Sequence, residues 1–306
     1  MLSVTFLGTG ASIPTIDRNV AALAVQREGE TLLFDCGEGT QRQMMRYGVG
    51  FSFREIFFTH YHADHMLGVT GLLRTLGLQD RSQPVTLFGP RGAQRILGAA
   101  ITLGIERNKF PVEVVELKPG DRLVRDQYDI VAFETEHRAD TLGFALVEHP
   151  RLGRFNPERA RELGIPEGPL WGRLHKGETV TLEDGRTFTP ADLVGAPRSG
   201  RSLVYTGDTR PSFAVIQAAK EADLLIHEAT FGGDELERAK ETGHSTSAEA
   251  ARVALEAGAR RLALTHISSR YNRDASELLA EAKAVFPETV IARDGMTIEV
   301  PYPDAE

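Results

Sequence analysis

Residues 59–65 read Thr-His-Tyr-His-Ala-Asp-His, and four potential metal ligands fall within six residues: His60, His62, Asp64 and His65. Alternate residues of an extended chain point to the same side, so His60 and His62 can bind one metal ion. Asp64 and His65 are predicted to begin the next helix, where they can face a second ion. Three imidazoles and a carboxylate at a strand-to-helix turn are hard to explain as coincidence. The run therefore predicts a centre with two metal ions.

Three further candidate ligands each come shortly after a predicted strand: His137, Asp208 and His266. Open α/β sheets place their ligands beyond the carboxyl ends of the strands. A single histidine in such a position is usually an ordinary surface or core residue. Because the run at 59–65 needs partners, the three together predict the remainder of the same site.

The pattern of elements along the chain is typical of an α/β fold, since short apolar runs rich in β-branched residues alternate with helical patterns. The predicted strands are Val4–Gly8, Val20–Val25, Thr31–Phe34, Glu55–Thr59, Val85–Phe88, Tyr128–Phe133, Ser202–Tyr205, Asp223–Ile226 and Arg261–Thr265. Helices are predicted at Ser245–Ala257 and Asp274–Phe286. In the first helix, Thr246 and Glu249 fit a capping box and Gly258 fits a stop signal.

The composition limits the classes of protein that fit. The 306 residues are 41% hydrophobic and 25% charged, as in globular proteins, and no apolar run suits a membrane span. Cys36 is the only cysteine, which excludes an internal disulfide and a thiolate metal cluster. The lack of disulfides and of a recognisable targeting segment predicts a cytoplasmic protein. The net charge of -8 argues against a nucleic-acid partner, although bound metal ions neutralise carboxylates around them.

The segment 148–178 differs in composition from the rest of the chain. It contains five glycines and four prolines and has no long apolar period. Such a segment inside a compact domain is usually functional or disordered. Its basic residues, which outnumber its acids, are Arg151, Arg154, Arg159, Arg161, Arg173 and Lys176. Trp171 can either stack on RNA or anchor the segment to its own domain.

The order of the candidate ligands resembles the metal motifs of the metallo-β-lactamase superfamily over nearly the whole chain. This resemblance implies an αββα sandwich, with residues 1–306 as a single metallo-β-lactamase domain. It implies two Zn²⁺ ions per subunit, held by His60, His62 and His137 and by Asp64, His65 and His266, with Asp208 bridging. Asp35 matches the superfamily's first motif, a carboxylate that orients metal-binding histidines. Mn²⁺ is the expected substitute for Zn²⁺.

Shorter motifs resemble one family of that superfamily, ribonuclease Z. They are F-L-G-T-G-A-S-I-P followed by R-N in 6–19, F-D-C-G-E-G-T-Q-R-Q in 34–43, H-E-A-T in 227–230, H-S-T in 244–246, H-I-S-S-R-Y in 266–271 and A-R-D-G in 292–295. The resemblance implies a zinc-dependent endoribonuclease that cleaves precursor tRNA 3′ of the discriminator nucleotide and removes the 3′ trailer. A 3′-hydroxyl is left for CCA addition. The resemblance also implies a homodimer, with 148–178 as a flexible arm that binds tRNA.

We assign catalytic roles to Asp64, His244 and Glu228. Two metal ions lower the pKa of a water molecule and neutralise phosphate oxygens, and Asp64 would orient or deprotonate that water. The leaving 3′-oxygen needs a proton, which an imidazolium can supply near neutral pH. His244 is the expected donor, with Glu228 hydrogen-bonded behind it. The alternative for these two residues is a helix cap and an ordinary buried pair.

Two groups of residues are expected to contact RNA. The motif matches imply contacts by Arg18, Asn19, Ser268, Arg270 and Tyr271, and the arm would contribute Arg151, Arg154, Arg173 and Lys176. Recognition would depend on shape and phosphates rather than on base edges. For any single arm residue, a solvated polar loop explains the charge equally well. Ile16 replaces the lysine of the family's P-x-K-x-R-N loop, which leaves open how precursors that already encode CCA are treated.

Three other functions fit parts of the sequence. A hydrolase of the same fold acting on small phosphodiesters would not need the segment 148–178. A lactamase, thioesterase or lactonase would not need Glu228 and His244. A non-catalytic RNA-binding relative would be expected to lose metal ligands, and the zinc content of the purified protein would identify it.

Overall fold

The computed structural model of the chain describes residues 1–105 and 108–303 and contains two seven-stranded sheets. The first sheet comprises β1 (Leu2–Gly8), β2 (Ala22–Arg27), β3 (Glu30–Phe34), β4 (Glu55–Phe57), β5 (Val85–Gly89), β6 (Val112–Glu116) and β16 (Thr297–Glu299). The second comprises β7 (Arg122–Val124), β8 (Tyr128–Glu134), β9 (Leu142–Glu148), β12 (Ser202–Tyr205), β13 (Leu224–Glu228), β14 (Leu262–Thr265) and β15 (Thr289–Ile291). A separate hairpin is formed by β10 (Val180–Thr181) and β11 (Thr187–Phe188). The strands lie in the orders β16-β1-β2-β3-β4-β5-β6 and β15-β14-β13-β12-β9-β8-β7.

Ten α-helices occur within the described ranges. They are α1 (Thr40–Arg46), α2 (Ala63–Met66), α3 (Gly68–Leu78), α4 (Ala93–Thr102), α5 (Pro157–Glu162), α6 (Pro169–His175), α7 (Phe213–Ala218), α8 (Leu236–Thr242), α9 (Ser247–Ala257) and α10 (Ser276–Val285). Short 3-10 helices lie at Pro190–Asp192, Gly233–Glu235 and Ser269–Tyr271. None of the helices in residues 1–105 and 108–303 has both the length and the apolar character of a membrane span.

The chain forms two compact units. We call residues 1–147 and 202–301 the sandwich unit, and residues 148–201 with 302–306 the inserted unit. The segment 148–178, which the composition sets apart, opens the inserted unit, and that unit continues to Arg201.

Apolar packing arranges the sandwich unit in four layers. Between the two sheets, the ring of Phe57 lies 5.4 Å from that of Phe144 and 5.1 Å from that of Phe34, with all three buried. The other face of the first sheet packs on α1, α3 and α4, and that of the second sheet packs on α7, α9 and α10. The order helix, sheet, sheet, helix confirms the predicted αββα sandwich.

Most of the predicted strands are present with shifted ends. For example, β4 ends at Phe57 rather than at Thr59, so the metal-ligand run begins just outside the sheet. The helix α9 confirms its predicted signals: Thr246 is the N-cap in a capping box with Glu249, and Gly258 has a φ of 66°. Because Thr246 is the cap, the helix begins at Ser247 rather than at the predicted Ser245.

The inserted unit has an apolar core of its own, formed by Ala160, Ile165, Leu174, Val180, Phe188 and Leu193. Trp171 packs beside this core, where its Nε1 donates to the carbonyl of Ile165 at 3.2 Å and its ring lies 5.4 Å from Phe155. Of the two roles considered for Trp171, the structure therefore supports anchoring within the unit.

The inserted unit connects to the sheet through adjacent strand ends. β9 and β12 are antiparallel neighbours, with Val147 opposite Ser202. The next pair continues this ladder, since the Glu148 amide donates to the Arg201 carbonyl at 2.9 Å. The side chains of Glu148 and Arg201 form a buried ion pair at 2.7 Å. The first and last residues of this insertion, Glu148 and Arg201, are therefore held next to each other by a backbone hydrogen bond and an ion pair.

Candidate metal centre

The structure brings the seven predicted ligands together in the sandwich unit. They form two groups, His60, His62, His137 and Asp208 in one and Asp64, His65 and His266 in the other. Within each group, one ligand atom per residue lies within 4.8 Å of the others. A third, overlapping group joins Asp208 and His266 to His244.

The local backbone explains how one short run supplies both groups. After β4 the chain stays extended as far as His62, whose φ of −62° and ψ of 151° precede α2. His60 Nε2 and His62 Nδ1 are therefore able to face each other at 2.9 Å. Asp64 and His65 lie in α2 itself and point to the other group, as the alternation and the predicted helix start required.

Acceptors on the outer side of two imidazoles determine which ring nitrogen carries the proton. His65 Nδ1 lies 2.8 Å from a carboxylate oxygen of Asp35, and His137 Nδ1 lies 2.7 Å from the carbonyl oxygen of Gly243. Each acceptor requires a proton on Nδ1, so Nε2 of the neutral ring presents a lone pair to the interior.

Two threonine hydroxyls determine in the same way which ring nitrogen of His60 and of His266 carries the proton. Thr59 Oγ1 donates to Asp35 at 3.0 Å, and Thr230 Oγ1 donates to Glu228 at 2.8 Å. Each hydroxyl has then used its only proton and accepts from a ring, at 3.1 Å from His60 Nδ1 and 2.9 Å from His266 Nδ1. Nε2 of His60 and of His266 is thereby left with its lone pair directed inward.

The inward nitrogens approach one another closely. His65 Nε2 lies 3.3 Å from His266 Nε2, and His137 Nε2 lies 3.3 Å from His62 Nδ1. Two lone pairs cannot form a hydrogen bond with each other, so the close approach of His65 Nε2 and His266 Nε2 requires positive charge beside them, whereas His62 Nδ1 can carry a proton and donate to His60 Nε2 at 2.9 Å. The donor set therefore fits metal cations.

Asp208 presents one oxygen to each group. Its Oδ1 lies 3.3 Å from His65 Nε2 and 3.3 Å from His266 Nε2, whereas its Oδ2 lies 3.6 Å from His60 Nε2. Among the described residues, Oδ1 is buried without a hydrogen-bond partner. A buried carboxylate oxygen in this position is the arrangement expected of a bridging ligand.

The electrostatic field at the centre favours a cation. Burial alone would lower the pKa of His65, but the carboxylates of Asp208 and Asp35 outweigh it and raise this pKa well above its usual value. Burial and the neighbouring His65 lower the pKa of His60 well below its usual value, which keeps that ring neutral. Burial raises the pKa of Asp208, yet the adjacent His266 and His65 hold it well below its usual range, so Asp208 stays ionised. Neutral imidazole and ionised carboxylate are the forms that bind metals, so a bound metal ion would replace the proton that the raised pKa of His65 otherwise retains.

Asp35 fixes the position of several groups behind the ligands. Besides His65, it accepts hydrogen bonds from the amide of Thr59 at 2.8 Å and from the hydroxyl of Tyr205 at 2.8 Å. Its φ of 56° is unusual for a residue other than glycine, and His266 has the same value. Such backbone strain is found where the surrounding structure must hold a side chain in one place.

Asp64 is held from a distant part of the chain. Its Oδ2 accepts the backbone N–H of Ser12 at 2.7 Å and lies 3.3 Å from His266 Nε2. Ser12 also has a positive φ, 64°, which turns its amide towards the carboxylate. The loop after β1 thus positions a metal ligand.

The pair of His244 and Glu228 lies beside the ligands. His244 Nδ1 is 2.8 Å from Glu228 Oε1 and 3.9 Å from Asp208 Oδ2. Burial lowers the pKa of His244, but the Glu228 carboxylate outweighs it and raises this pKa to about 9. The carboxylate of Glu228 is fully buried and also accepts the amides of Thr209 and Thr230, each at 3.1 Å. Because Thr246 caps α9, a helix cap does not explain His244.

Two of the residues expected to contact RNA make hydrogen bonds within the chain, where Arg18 is buried and Asn19 is half-buried. The Arg18 guanidinium donates to the Thr9 hydroxyl and to the carbonyl of Ala292, both at 2.7 Å, and Arg18 is only 6% exposed. The backbone N–H of Asn19 donates to Asp294 at 2.6 Å, and its side-chain amide donates to the Glu38 carbonyl at 2.8 Å. In this structure the two residues connect the loop after β1 to the loop before β16.

The other three motif residues differ in exposure. Ser268 is buried and its hydroxyl accepts the amide of Arg270 at the start of a 3-10 helix. The Tyr271 hydroxyl donates to Glu235 at 2.8 Å. Arg270 is exposed on the same side of the unit as His244, since both line one cavity.

The four arm residues lie in the inserted unit and are not part of the metal centre. The Arg151 guanidinium lies 3.5 Å from the centre of the Tyr302 ring, and Arg173 pairs with Glu178 at 2.8 Å. Arg154 and Lys176 are exposed.

Sequence reasoning did not assign roles to Thr59, Thr230, Tyr205 and Ser12. Thr59 directly precedes the candidate ligand His60, and Thr230 ends the H-E-A-T motif at 227–230. Their position in these motifs was the signal that could have identified them. Tyr205 and Ser12 reach Asp35 and Asp64 only through tertiary contacts, and the sequence carries no local signal for them.

Known families and proteins match the chain over most of its length. The family described as "Anti-Pycsar protein Apyc1" matches residues 2–149, and the "Beta-lactamase superfamily domain" matches residues 171–267. The Ribonuclease Z of Gemmatimonas aurantiaca is 58% identical over 301 residues, which are 98% of this chain and 96% of the relative. That of Myxococcus xanthus is 57% identical over 305 residues, 99% of each chain.

A solved structure shows the same relationship. The crystal structure of human tRNase Z, short form, superposes with a TM-score of 0.71 at 31% identity and covers 98% of this chain and 99% of its own. With identities this high over the full length, the chain belongs to the ribonuclease Z family of endoribonucleases, in the metallo-β-lactamase superfamily.

Proposed function

We propose that this endoribonuclease is zinc-dependent and cleaves precursor tRNA 3′ of the discriminator nucleotide, removing the 3′ trailer and leaving a 3′-hydroxyl. The observation that carries the proposal is the His244–Glu228 pair beside two groups of metal ligands. Hydrolysis of a phosphodiester needs an activated water, charge neutralisation and a proton for the leaving oxygen. The relatives named Ribonuclease Z and the solved tRNase Z support the choice of substrate.

The ligand set suits two Zn²⁺ ions, with Mn²⁺ as a substitute. All seven ligands are nitrogen or oxygen donors, and Asp208, which presents one carboxylate oxygen to each group, would be the ligand that both ions share. When bound, the ions would neutralise charge on the phosphate and lower the pKa of a water molecule. Asp64, held by the Ser12 amide, orients the attacking water.

His244 donates the proton to the leaving oxygen. The Glu228 carboxylate binds Nδ1 and raises the pKa of His244 to about 9, so the ring is protonated near neutral pH. Nε2 is then the nitrogen that can release a proton towards the 3′-oxygen. Glu228 thereby fixes both the orientation and the charge of the donor.

The inserted unit is the part of the chain that we propose holds the tRNA. Its exposed Arg154 and Lys176 are suited to phosphate contacts. Arg151 and Arg173 contact Tyr302 and Glu178, so they would have to exchange these partners to bind RNA. The homodimer and the cytoplasmic location stay predictions.

The first test is cleavage of an end-labelled precursor tRNA with and without a chelator, with the cut mapped to a nucleotide. We expect a cut directly after the discriminator nucleotide that is lost with the chelator and restored by Zn²⁺. Hydrolysis of a small phosphodiester without any cut in precursor tRNA would reject the substrate and favour the hydrolase of small phosphodiesters considered above.

The pH dependence of cleavage tests the proton donor. Because His244 must be protonated, kcat should fall as pH rises through about 9, the raised pKa of this residue. Glu228→Gln removes the charge that raises this pKa, so the fall should begin at least one pH unit lower. His244→Ala, as a control, should lose this limb of the profile and reduce kcat by about 10²- to 10⁴-fold while the metal content stays unchanged. An alkaline limb at the same pH in the Glu228 variant would exclude the assignment.

Metal affinity tests the role of Asp35. Asp35→Asn replaces the acceptor of His65 Nδ1, so we expect about 10- to 100-fold weaker zinc binding in competition with a chromogenic chelator. Asp223→Asn is the matched control, because Asp223 is also buried and accepts the Ser202 amide at 2.8 Å, away from the ligands. Equal zinc affinity in both variants would show that Asp35 does not position the ligand.

The arm is tested by charge removal, because the inserted unit has its own core and a deletion would destroy it. A protein carrying Arg154→Gln and Lys176→Gln should show a several-fold higher KM for precursor tRNA and unchanged hydrolysis of a small chromogenic phosphodiester. Lys220→Gln, an exposed change in the sandwich unit, is the control. Equal losses on both substrates would mean that Arg154 and Lys176 have a structural role only.

A further inference from the structure

A small cavity adjoins the proton donor in the sandwich unit. It has a volume of about 250 Å³, and its lining residues include Ser12, Ile13, Phe231, Arg238, His244 and Arg270. Since Nδ1 of His244 is bound to Glu228, Nε2 is the nitrogen left to act on a molecule in this cavity. None of the residues that line it, among those the structure describes, is acidic.

Two cations in the cavity flank one aromatic ring. The guanidinium carbons of Arg238 and Arg270 lie 5.8 Å and 5.9 Å from the centre of the Phe231 ring. This ring is also 6.1 Å from the His244 ring. Phe231 is buried, whereas both arginines are exposed, so the ring is a fixed platform for the two cations. Arg270 also pairs with Glu235 at 3.5 Å and would exchange this partner for a bound anion.

A second cavity next to the ligands has the opposite charge. It measures about 930 Å³ and includes His137 in its lining. Its charged residues are Arg91, Lys118, Glu116, Glu134, Glu136 and Asp140, so acids outnumber bases. Of these two cavities, the one beside His244 has the charge that attracts phosphate groups.

The chemistry of the cleaved bond determines which nucleotide binds in the cavity beside His244. The oxygen that receives the proton from His244 belongs to the nucleotide on the 5′ side of the cut. That nucleotide, and the phosphate that joins it to the preceding one, must therefore lie next to His244. This step rests on the proposed function, because it uses His244 as the proton donor.

We propose that Phe231, Arg238 and Arg270 form the binding site for the nucleotide on the 5′ side of the cleaved bond. The two guanidinium groups bind the phosphate that precedes this nucleotide, and the Phe231 ring holds the two cations in place beside His244. Contacts to a phosphate carry no base preference, so the site accepts any discriminator base.

Single charge removals test the site. Arg238→Gln and Arg270→Gln should each raise KM for precursor tRNA about tenfold, the loss of one charge-assisted contact, and affect kcat less. Each should reduce the slope of log KM against log salt concentration by about 0.7 to 1. Lys240→Gln is the matched control, because Lys240 lies on α8 with Arg238, pairs with Glu237 and does not line the cavity. An unchanged salt slope in both arginine variants would overturn the site.

A precursor with one neutral linkage identifies the phosphate. A methylphosphonate at the linkage 5′ of the discriminator nucleotide should weaken binding at least tenfold in the unsubstituted protein and cause no further loss in a protein that carries both Arg238→Gln and Arg270→Gln. At the linkage 3′ of the first trailer nucleotide, it should have the same effect on both proteins. If the methylphosphonate effect disappeared in the arginine variant at the trailer linkage rather than at the 5′ linkage, the cavity would bind the trailer and the proposal would be wrong.

The outcomes separate this inference from the function on which it rests. Failure of the unsubstituted protein to cut any precursor would reject the proposed function. Normal cutting with additive effects at both linkages would reject the nucleotide site alone and leave the function in place.

Arg238→Lys, which keeps the charge, should retain most of the salt slope.

Discussion

Lone pairs that point at one another are the constraint on which the metal centre depends. The outer nitrogens of four imidazoles are bound to hydrogen-bonding partners, so the lone pairs of their inner nitrogens point inward, and those of His65 and His266 face each other at 3.3 Å. Such a cluster is stable only if positive charge lies within it, and the raised pKa of His65 shows the same demand. The protein tolerates positive φ values at Asp35 and His266 because these residues keep the cluster together.

The centre also requires both sheets. One short run after β4 supplies ligands from the first sheet, whereas His137, Asp208 and His266 follow strands of the second. The aromatic rings packed between the sheets and a close approach at Gly207 set the distance between the two sheets. A Cβ at Gly207 would lie 2.7 Å from the Thr59 side chain, and its φ is 61°, so the sheets can meet here only at a glycine. Packing of the core and formation of the metal centre are therefore coupled.

The sequence predicted the features that depend on neighbouring residues. The ligand run, the capping box of α9 and the α/β pattern are local, and the structure shows all three. It missed β6, and it missed β7, β15 and β16, which have only three residues each and lack the longer apolar run that predicted β4. It also missed β9, where Gly143 weakens the strand signal although the Phe133 ring leaves no room for a side chain there. The burial of Arg18 could not be foreseen, since an arginine that binds carbonyl groups in the interior has the same sequence context as one that binds RNA.

The antiparallel pairing of β9 and β12 has a consequence for how the protein can evolve. The backbone enters and leaves the inserted unit at the hydrogen-bonded pair of Glu148 and Arg201, so the whole insertion is topologically the loop of one hairpin. The entropy of closing a loop grows only with the logarithm of its length. Residues can thus be gained, lost or exchanged at this hairpin with little strain on the sandwich unit, and the inserted unit can evolve separately from the candidate metal centre.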